Sequence, residues 1–514
     1  MYRIGVDIGG TNTDAAIMRG REVVETIKAP TSADVTQGVA EALNTILQRS
    51  GVPAGEVGAV VIGTTHFTNA VIERRHLEPV AVVRLCLPAT QSLPPLVDWP
   101  DDIHAVVGDN VYFTSGGYEF DGRPISSLDE ADLQSIGRDI HNKGVRCIAV
   151  CAVFSSINDA MERRAAEILA ASCPGALISI SSSIGRLGLL ERENATALNS
   201  SLLGLARRTV LALHEALAES ALGCPFYLSQ NDGTLMSAAH AQQYPVLTFA
   251  SGPTNSMRGA AFLTQCQETI VVDIGGTTTD VGLLQHGFPR EATHAVDIGG
   301  VRTNFRMPDL FSVGLGGGSI VAAGPQGAKI GPQSVGFEIN RKALIFGGEV
   351  VTATDVAVAA GRTELGDRGR TQGLDRQVVA SAIAEIDRML EAAVDRVRVS
   401  AAPLPVVVVG GGSILAPSTL AGLQVVKPRH FEVANAIGAA IAQASGQVDK
   451  VYSLDLSSRD AVLAEAEHEA RAQAIQAGAL EETLVVTDRE DVPLTYLPGN
   501  ATRVRVKVVG DMRF

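Results

Sequence analysis

The stretch VDIGGTNTD at residues 6–14 returns almost unchanged as VDIGGTTTD at residues 272–280. Apolar residues flank both copies, and each glycine pair stands where a tight turn needs backbone torsions that other residues avoid. The pattern therefore predicts a β-hairpin in each copy. Because copies this far apart are too distant for a solenoid repeat, they indicate two similar α/β domains that open with the same strand, turn and strand.

Each hairpin turn has the donors that a phosphate chain requires. Glycine leaves the backbone N–H groups uncovered, and the threonine hydroxyls add further donors. Two such turns that face each other across a cleft can hold a nucleoside triphosphate from both sides. The predicted nucleotide-binding residues of the turns are Gly9, Gly10, Thr11, Asn12, Thr13, Gly275, Gly276, Thr277 and Thr278. A further DIGG at residues 297–300 lacks the threonine and aspartate that follow, so it is not counted as a third such hairpin.

Each hairpin also carries two aspartates. Asp7 and Asp273 end the first strand of their hairpins, where a carboxylate can hold Mg²⁺ through its water shell, and we predict them as metal-binding and catalytic residues. Asp14 and Asp280 follow the turns as further catalytic candidates. Each of these two is either a general base for the attacking water or substrate, or a residue that caps its hairpin, and the sequence leaves both interpretations open.

A third glycine stretch, VVVVGGGS, covers residues 406–413. The run of valines predicts a buried strand that ends in a glycine turn. Such a turn can lie flat under an adenine and its ribose, although a tight strand-to-helix connection would have the same sequence. Its place after the second hairpin favours the nucleotide interpretation, with Gly410, Gly411, Gly412 and Ser413 as the binding residues.

A short apolar strand that ends in Gly-Thr-Thr at residues 63–65 is the candidate substrate end of the cleft. The helix that follows would turn its N-terminus toward the cleft together with Thr64, Thr65 and Asn69. His66 lies in the same turn and could titrate near neutral pH, or it is a solvated loop residue.

Length and alternating strand and helix patterns predict three segments in an α/β chain of 514 residues. The predicted segments are a first domain at 1–190, a second domain at 191–447 and a small α+β appendage at 448–514. The Ala/Leu-rich stretch from Glu191 to Ala218 predicts helix that joins the two halves.

Composition excludes several classes of partner. Lys and Arg number 42 against 56 Asp and Glu, and this net charge of −14 argues against nucleic acid and anionic membranes as partners. Six scattered cysteines indicate a reducing cytoplasm, and Cys147 and Cys151 fit a buried strand better than a metal pair. We also find no signal peptide and no run of 18 apolar residues, and we expect a homo-oligomer without membrane spans.

The order of hairpin, hairpin and glycine-ended strand resembles the phosphate-1, phosphate-2 and adenosine signatures of the superfamily of acetate and sugar kinases, heat-shock chaperones and actin. Within it, residues 1 to about 445 resemble the hydantoinase/oxoprolinase family. The motifs that carry this resemblance lie at 7–14, 63–74, 154–158, 198–199, 230–233, 251–253, 273–281 and 314–319.

The resemblance implies two ribonuclease H-like, actin-type ATPase domains around a central nucleotide cleft, with ATP and Mg²⁺ as cofactors. Enzymes of the family hydrolyse 5-oxoproline, N-methylhydantoin or other cyclic amides with ATP, and some relatives carboxylate ketones. It also implies that the glycine-rich loop at 314–319, with Gly316, Gly317 and Gly318, lies near the reacting end of the nucleotide, although a flexible turn would have the same sequence. Asp309, shortly before this loop, is a further candidate substrate residue. Because the family often works as two subunits, the resemblance further implies a second subunit as a partner.

Two positions depart from the pattern of the relatives. Larger relatives commonly have Asp-x-His before the glycine-rich loop, whereas Phe311 stands at the His position here. Relatives also often have His before Gly-Thr-Thr, where this chain has Ile62. These departures leave the identity of the cyclic amide open.

Two other functions compete with an ATP-dependent cyclic-amide hydrolase. One is a small-molecule kinase of the same superfamily, and the other is a non-catalytic ATP-driven switch. The family-specific motifs favour the hydrolase, and the six cysteines lack the arrangement that an activator's iron–sulfur cluster requires.

Overall fold

The computed structural model describes residues 1–10, 12–30, 35–324, 327–400, 403–455, 457–495 and 500–512. In chain order its β-strands are β1 (Tyr2–Ile8), β2 (Asn12–Arg19), β3 (Glu22–Pro30), β4 (Val57–Thr64), β5 (Val80–Leu87), β6 (Asn110–Ser115), β7 (Cys147–Ala152), β8 (Leu177–Ile180), β9 (Phe226–Ser229), β10 (Thr234–Ser237), β11 (Thr269–Ile274), β12 (Thr279–Gln285), β13 (Phe288–Pro289), β14 (Val296–Ile298), β15 (Val301–Thr303), β16 (Leu310–Val313), β17 (Ser319–Gly324), β18 (Gly327–Ser334), β19 (Val406–Val409), β20 (Thr419–Leu420), β21 (Leu423–Val426), β22 (Gln443–Ser453), β23 (Val485–Pro493) and β24 (Ala501–Gly510).

The α-helices are α1 (Val35–Ser50), α2 (His66–Ile72), α3 (Asp101–Val107), α4 (Glu130–Asn142), α5 (Ala160–Ser172), α6 (Leu189–Glu219), α7 (Ala238–Gln243), α8 (Ser251–Thr264), α9 (Ile339–Lys342), α10 (Ala353–Ala359), α11 (Arg376–Val397), α12 (Ala434–Ala440) and α13 (Arg459–Gln476). The predicted helical stretch after residue 190 is one continuous helix, α6. In the part of the chain with described coordinates, none of these helices has both the length and the apolar character needed to cross a membrane.

The two predicted hairpins form in two separate sheets. The first hairpin, β1 and β2, lies in a sheet with the strand order β23-β24-β22-β10-β9-β4-β1-β2-β3. The second hairpin, β11 and β12, lies in a sheet with the order β13-β12-β11-β19-β21-β20, and β16 also pairs with β12. The strands inside both sheets are almost wholly buried, as expected for strands covered on both faces.

One frame repeats in both sheets. The first strand of each hairpin pairs in parallel with a later strand, β4 or β19. The second strand pairs antiparallel with a third strand, β3 or β16. Asp7 lies opposite Asp14 in one hairpin, and Asp273 lies opposite Asp280 in the other. The α/β class and the duplicated hairpin unit predicted from the sequence are therefore confirmed.

A third sheet is formed by four strands from the first half of the chain. Its order is β6-β5-β7-β8, and all its pairs are parallel. Apolar side chains of α4 and α5 pack on one face, and α6 packs on the other. Cys147 and Cys151 are buried within β7, in agreement with the buried-strand prediction.

Strand pairing crosses both of the predicted segment boundaries. β9 and β10 follow residue 190 but join the sheet of the first hairpin, and so do β22, β23 and β24 near the end of the chain. The predicted ranges 1–190, 191–447 and 448–514 therefore do not coincide with the sheets. The physical reason is that β4 has a free edge in the sheet of the first hairpin, and β9 pairs with that edge. The C-terminal strands β22 and β24 then extend the same sheet beyond β10.

Glycines let two helices cross in direct contact between the sheets. A Cβ atom on Gly259 of α8 would lie 1.9 Å from the carbonyl oxygen of Ala434, and one on Gly438 of α12 would lie 1.8 Å from the carbonyl oxygen of Asn255. A Cβ on Gly5 of β1 would lie 2.0 Å from the carbonyl oxygen of Ala436. The backbones of α8, α12 and β1 therefore touch, and this contact fixes the height of both helices over the first hairpin.

We expect Gly259→Ala to lower the free energy of unfolding by roughly 2–3 kcal/mol, because the added methyl must displace the backbone of α12. Gly223→Ala is the matched control, since a Cβ there meets no atom within 4 Å, and its effect should stay within about 0.5 kcal/mol. Urea denaturation followed by circular dichroism measures both. Equal midpoints for the two variants would show that the helices are not in direct backbone contact.

Candidate functional site

The two hairpin turns share an equivalent backbone hydrogen bond. The N–H of Gly9 donates to the carbonyl of Asn12 at 3.0 Å, and the N–H of Gly275 donates to the carbonyl of Thr278 at 2.9 Å. Gly10, Thr277 and Thr278 are exposed at the tips, and Asn12, Gly9, Gly275 and Gly276 are partly exposed. Thr13 is buried, and Thr11 lies outside the described residues. Both turns therefore present uncovered backbone to solvent.

Asp7 of the first hairpin is buried and held by two carboxamides. Its Oδ1 accepts a hydrogen bond from Asn255 Nδ2 at 3.2 Å, and its Oδ2 accepts one from Asn435 Nδ2 at 2.9 Å. The pKa of Asp7 is raised to about 6, mainly by burial and in part by the carboxylate of Asp14, while the two carboxamides and Lys28 oppose that rise. The site thus contains a carboxylate whose negative charge is poorly solvated by the protein alone.

Asp273 of the second hairpin is partly exposed, and its pKa is raised in the same direction. Burial raises its pKa to about 7, against the hydrogen bond from the Ser256 hydroxyl. The negative charges of Asp280 and of Asp7 both raise it further. Since Asp7 belongs to the other hairpin, its effect indicates that the two turns bring their carboxylates toward one shared space.

Helix α8 connects the two carboxylates. Its consecutive residues Asn255 and Ser256 contact different hairpins: Asn255 binds Asp7, and Ser256 binds Asp273. The glycine contact between α8 and α12 also brings Asn435, near the start of α12, to Asp7. Helix packing therefore places the carboxamides and the hydroxyl that hold both aspartates.

A glycine adjoins each strand-end aspartate. A Cβ on Gly63 would lie 2.2 Å from Asp7 Oδ1, and a Cβ on Gly410 would lie 2.3 Å from Asp273 Oδ1. Gly63 lies near the end of β4 and Gly410 directly follows β19, the two strands that pair in parallel with the hairpins, so the repeat includes both glycines. Any larger residue at these positions would displace a carboxylate.

The predicted adenosine turn packs against the second hairpin. The N–H of Gly412 donates to the carbonyl of Ile274 at 2.7 Å, and the hydroxyl of Ser413 donates to the carbonyl of Gly410 at 2.6 Å. Gly411 is exposed, and a Cβ on it would lie 3.3 Å from Lys28 Cε. The turn therefore lies next to Asp273 and also next to Lys28, which belongs to the sheet of the first hairpin.

Asp14 and Asp280 differ in their partners. Lys28 Nζ donates to both carboxylate oxygens of Asp14, at 2.9 and 3.0 Å, and Asn435 Nδ2 donates to Asp14 Oδ2 at 2.9 Å. Asp280 accepts a hydrogen bond from the Ser312 hydroxyl, and burial raises its pKa. Among these contacts, Asp14 is therefore paired with a cation and Asp280 is not.

Two of the predicted substrate residues lie beside Asp7. The hydroxyl of Ser251 at the start of α8 accepts from the N–H of Thr64 at 3.2 Å, and Gly252 places its Cβ position 3.8 Å from both Asp7 Oδ2 and Thr65 Cγ2. Asn69 is exposed and donates to Thr65 Oγ1 at 3.4 Å. Thr64, Thr65 and the first turn of α8 therefore border the carboxylate.

His66 interacts with a different set of charged residues from those around Asp7. Burial lowers its pKa, and the charges that act on it are those of His76, Arg208 and Glu73. None of these three residues adjoins Asp7 in the contacts of the described chain. The structure therefore does not bring His66 to the carboxylate cluster.

The glycine-rich loop at 314–319 supports the second hairpin. The N–H groups of Gly317 and Gly318 donate to the carbonyls of Gly275 and Gly276, at 3.0 and 2.7 Å. A Cβ on Gly316 would lie 2.5 Å from the backbone nitrogen of Thr277. The loop lies directly against the turn and fixes the direction of its carbonyl groups.

Asp309 and Phe311 lie apart from the aspartates. Asp309 pairs with Arg290, and the Phe311 ring lies 4.9 Å below the guanidinium of Arg396. Phe311 and Val313 line a cavity of about 660 Å³ beside α11. Because side chains alternate along β16, this cavity lies on the opposite face from Ser312 and Asp280.

The sequence interpretation missed Lys28, Asn255, Ser256 and Asn435. Asn255 and Ser256 come two and three residues after the motif at 251–253 that the sequence analysis singled out, and this motif was the available signal for them. Lys28 and Asn435 reach the site through strand register and helix crossing, which no local motif reveals. Among the described residues, no three His, Cys, Asp or Glu side chains gather as a ready metal cage.

Two family models match this chain. The description "Hydantoinase/oxoprolinase N-terminal region" matches residues 3–173, and "Hydantoinase/oxoprolinase" matches residues 192–402. Together they cover most of the chain and both hairpins.

Among known proteins, the chain is 27% identical over 422 residues to caprolactamase subunit alpha of Pseudomonas jessenii, covering 77% of this chain and 60% of that protein. The chain spans about three fifths of the length of the curated relatives it matches. Two solved structures share the fold at 18% identity. The ATP-dependent caprolactamase from Pseudomonas jessenii has a TM-score of 0.79, with 99% of this chain and 88% of that chain covered. Nucleotide-free acetone carboxylase has a TM-score of 0.69, with 100% and 88% covered.

The raised pKa values of Asp7 and Asp273 predict how stability depends on pH. Each native carboxyl holds its proton to higher pH than the ordinary value of 3.8, so its contribution favours the fold at low pH and is lost as pH rises through about 6 to 7. In metal-free buffer, the stability of Asp273→Asn relative to the parent should therefore be roughly 1–2 kcal/mol higher at about pH 8 than at about pH 4. Urea denaturation at both pH values tests this.

Asp297→Asn is the matched control for that measurement, because Asp297 opens the third DIGG stretch and is exposed. It should leave the pH dependence unchanged. A parent and an Asp273→Asn variant with parallel stability profiles would contradict the burial of this charge.

Proposed function

The chain belongs to the hydantoinase/oxoprolinase family, and from this premise we propose that it is an ATP-dependent hydrolase that opens a cyclic amide of the hydantoin, N-methylhydantoin, 5-oxoproline or lactam type. The observation that carries the proposal is the pair of strand-end carboxylates with raised pKa values, Asp7 and Asp273, each beside a solvent-exposed glycine turn. This arrangement suits a polyanion that arrives with its own divalent cation. The ATP-dependent caprolactamase that shares the fold supports this direction.

The residues around Asp7 fit a hydrated Mg²⁺ ion. Mg²⁺ in nucleotide sites usually keeps several waters and needs only one or two carboxylates besides the phosphates. Asp7 and Asp273 would hold it, and Asn255 Oδ1, which is buried without a hydrogen-bond partner, would accept from one of its waters. When bound, the ion supplies charge neutralisation for the phosphates and removes the like-charge repulsion between the two carboxylates.

The hairpins, the glycine turn and the ordinary chemistry of amides suggest the reaction. The ring amide is stabilised by resonance, and its carbonyl oxygen would attack the γ-phosphorus of ATP, so that ADP leaves and a phosphorylated imidate forms. Water then adds to the carbonyl carbon, and the ring C–N bond breaks as the nitrogen takes a proton and leaves as the amine. A second water hydrolyses the resulting acyl phosphate to the carboxylate and free phosphate. The turns at Gly9–Asn12 and Gly275–Thr278 would hold the phosphates in line, which is the main task of a protein in phosphoryl transfer.

We further propose that Asp280, and not Asp14, acts as the general base for water. Lys28 and Asn435 occupy both oxygens of Asp14, so its lone pairs are committed. Burial raises the pKa of both aspartates, but Asp280 has the neutral Ser312 hydroxyl as its neighbour where Asp14 has a cation, so the carboxylate of Asp280 is the freer of the two to accept a proton. The cyclic amide would then lie between this residue and Thr65, which directly precedes α2.

We also propose a second subunit as a working partner. The curated relative is named as an alpha subunit, and this chain spans about three fifths of that relative's length. Activity measurements should therefore include a candidate second subunit, and we expect a homo-oligomer of one or both chains.

Asp273→Asn should lower ATP turnover roughly 100-fold or more, because an amide cannot replace the charge that faces the metal and the phosphates. Phosphate release measured against a panel of lactams, hydantoins and 5-oxoproline, with and without the second subunit, provides the readout. Asp297→Asn serves again as the control and should keep full turnover. Unchanged turnover in Asp273→Asn would exclude the metal role, and a stable phosphorylated product in place of an opened ring would identify a kinase.

Asp280→Asn should lower kcat about 100-fold or more with little change in ATP affinity, as expected for loss of a general base. Asp14→Asn should act mainly on the KM for ATP, since Asp14 anchors Lys28 and does not accept the proton. Steady-state kinetics over a pH series separates the two. Equal losses of kcat in both variants would contradict the assignment of the base.

A further inference from the structure

The two halves of the duplicated frame differ at one position beside the carboxylates. In the first half, strand register places Lys28 of β3 opposite Asp14. In the second half, the equivalent register places Ser312 of β16 opposite Asp280. The site therefore contains a cation on the side of the first hairpin and a neutral hydroxyl on the side of the second.

The Lys28 ammonium is held at three acceptors. It donates to the two carboxylate oxygens of Asp14 and to the carbonyl of Glu432 at 3.1 Å. Two of its three donors thus share one carboxylate, which Asn435 also satisfies. One donor can turn to another acceptor while Asp14 stays paired, and the side chain is 31% exposed, so a ligand can reach it.

The Lys28 side chain also reaches from the sheet of the first hairpin to the glycine turn beside the second hairpin. Its Cε and Nζ lie 3.3 and 3.7 Å from the position that a Cβ of Gly411 would take, so the side chain passes over the exposed glycine turn. Its charge acts on Asp7 and on Asp273, one from each hairpin. The ammonium therefore lies between the glycine turn and the paired aspartates.

From this placement we infer that Lys28 binds the α- and β-phosphates of the nucleotide, with Asp14 as the positioning residue that aims it. The inference rests on the proposed function, because it needs a nucleotide in the cleft. A phosphate chain that runs from the turn at Gly410–Ser413 to the carboxylates passes beside this ammonium. Gly411 leaves room for the contact, since any side chain there would meet the lysine.

The affinity of the protein for adenosine, AMP, ADP and ATP, measured by calorimetry with Mg²⁺ and without turnover, tests this role. The parent should gain affinity from AMP to ADP. Lys28→Met should lose roughly 10- to 100-fold of ADP and ATP affinity, the loss expected for a charge-assisted contact, while adenosine affinity stays within about threefold. Lys28→Arg should recover most of the loss.

The double variant Lys28→Met with Asp14→Asn separates ligand binding from charge balance. If Lys28 only neutralises Asp14, removing both charges restores ADP affinity; if Lys28 contacts the phosphates, the double variant stays weak. Restored affinity would overturn the inference, as would a Lys28→Met variant that keeps the full gain from AMP to ADP. A parent protein that binds neither ADP nor ATP would instead refute the proposed function.

Discussion

Two carboxylates that the fold withdraws from water are the constraint on which this site depends. Asp7 and Asp273 come from different sheets, and the negative charge of Asp7 raises the pKa of Asp273. Burial of a carboxylate without a full cation partner is unfavourable, so the protein keeps this pair at a cost in stability. A divalent cation and a phosphate chain would reverse that cost, which gives a physical reason for a fold that closes on its ligand.

The rest of the architecture serves to hold this pair. Gly63 and Gly410 leave space for the two side chains, and α8 touches both through Asn255 and Ser256. α12 can bring Asn435 to Asp7 only because glycines let the helix backbones meet. The C-terminal strands β22 and β24, which follow α12, extend the sheet of the first hairpin and thereby anchor the end of that helix.

The two hairpins could be predicted from the sequence, but the residues that surround them could not. The repeat of VDIGGT predicts two equivalent turns because the glycines and the alternation of apolar residues are local signals. Lys28 shows why the rest could not be predicted. Counting outward from the turn after Arg19 pairs Lys28 with Thr13, whereas an irregularity between Ile17 and Met18 shifts the register and pairs it with Asp14. The predicted segment boundary near residue 190 likewise follows the order of elements along the chain. The sheets do not follow that order, because strands from distant parts of the chain pair with their edges.

The most direct test of the central claim is a crystal structure of the protein with Mg²⁺ and a non-hydrolysable ATP analogue. The account predicts one triphosphate in contact with the backbone N–H groups of both turns, with the metal between Asp7 and Asp273. A nucleotide bound to one turn alone, or bound elsewhere with the two turns far apart, would contradict it.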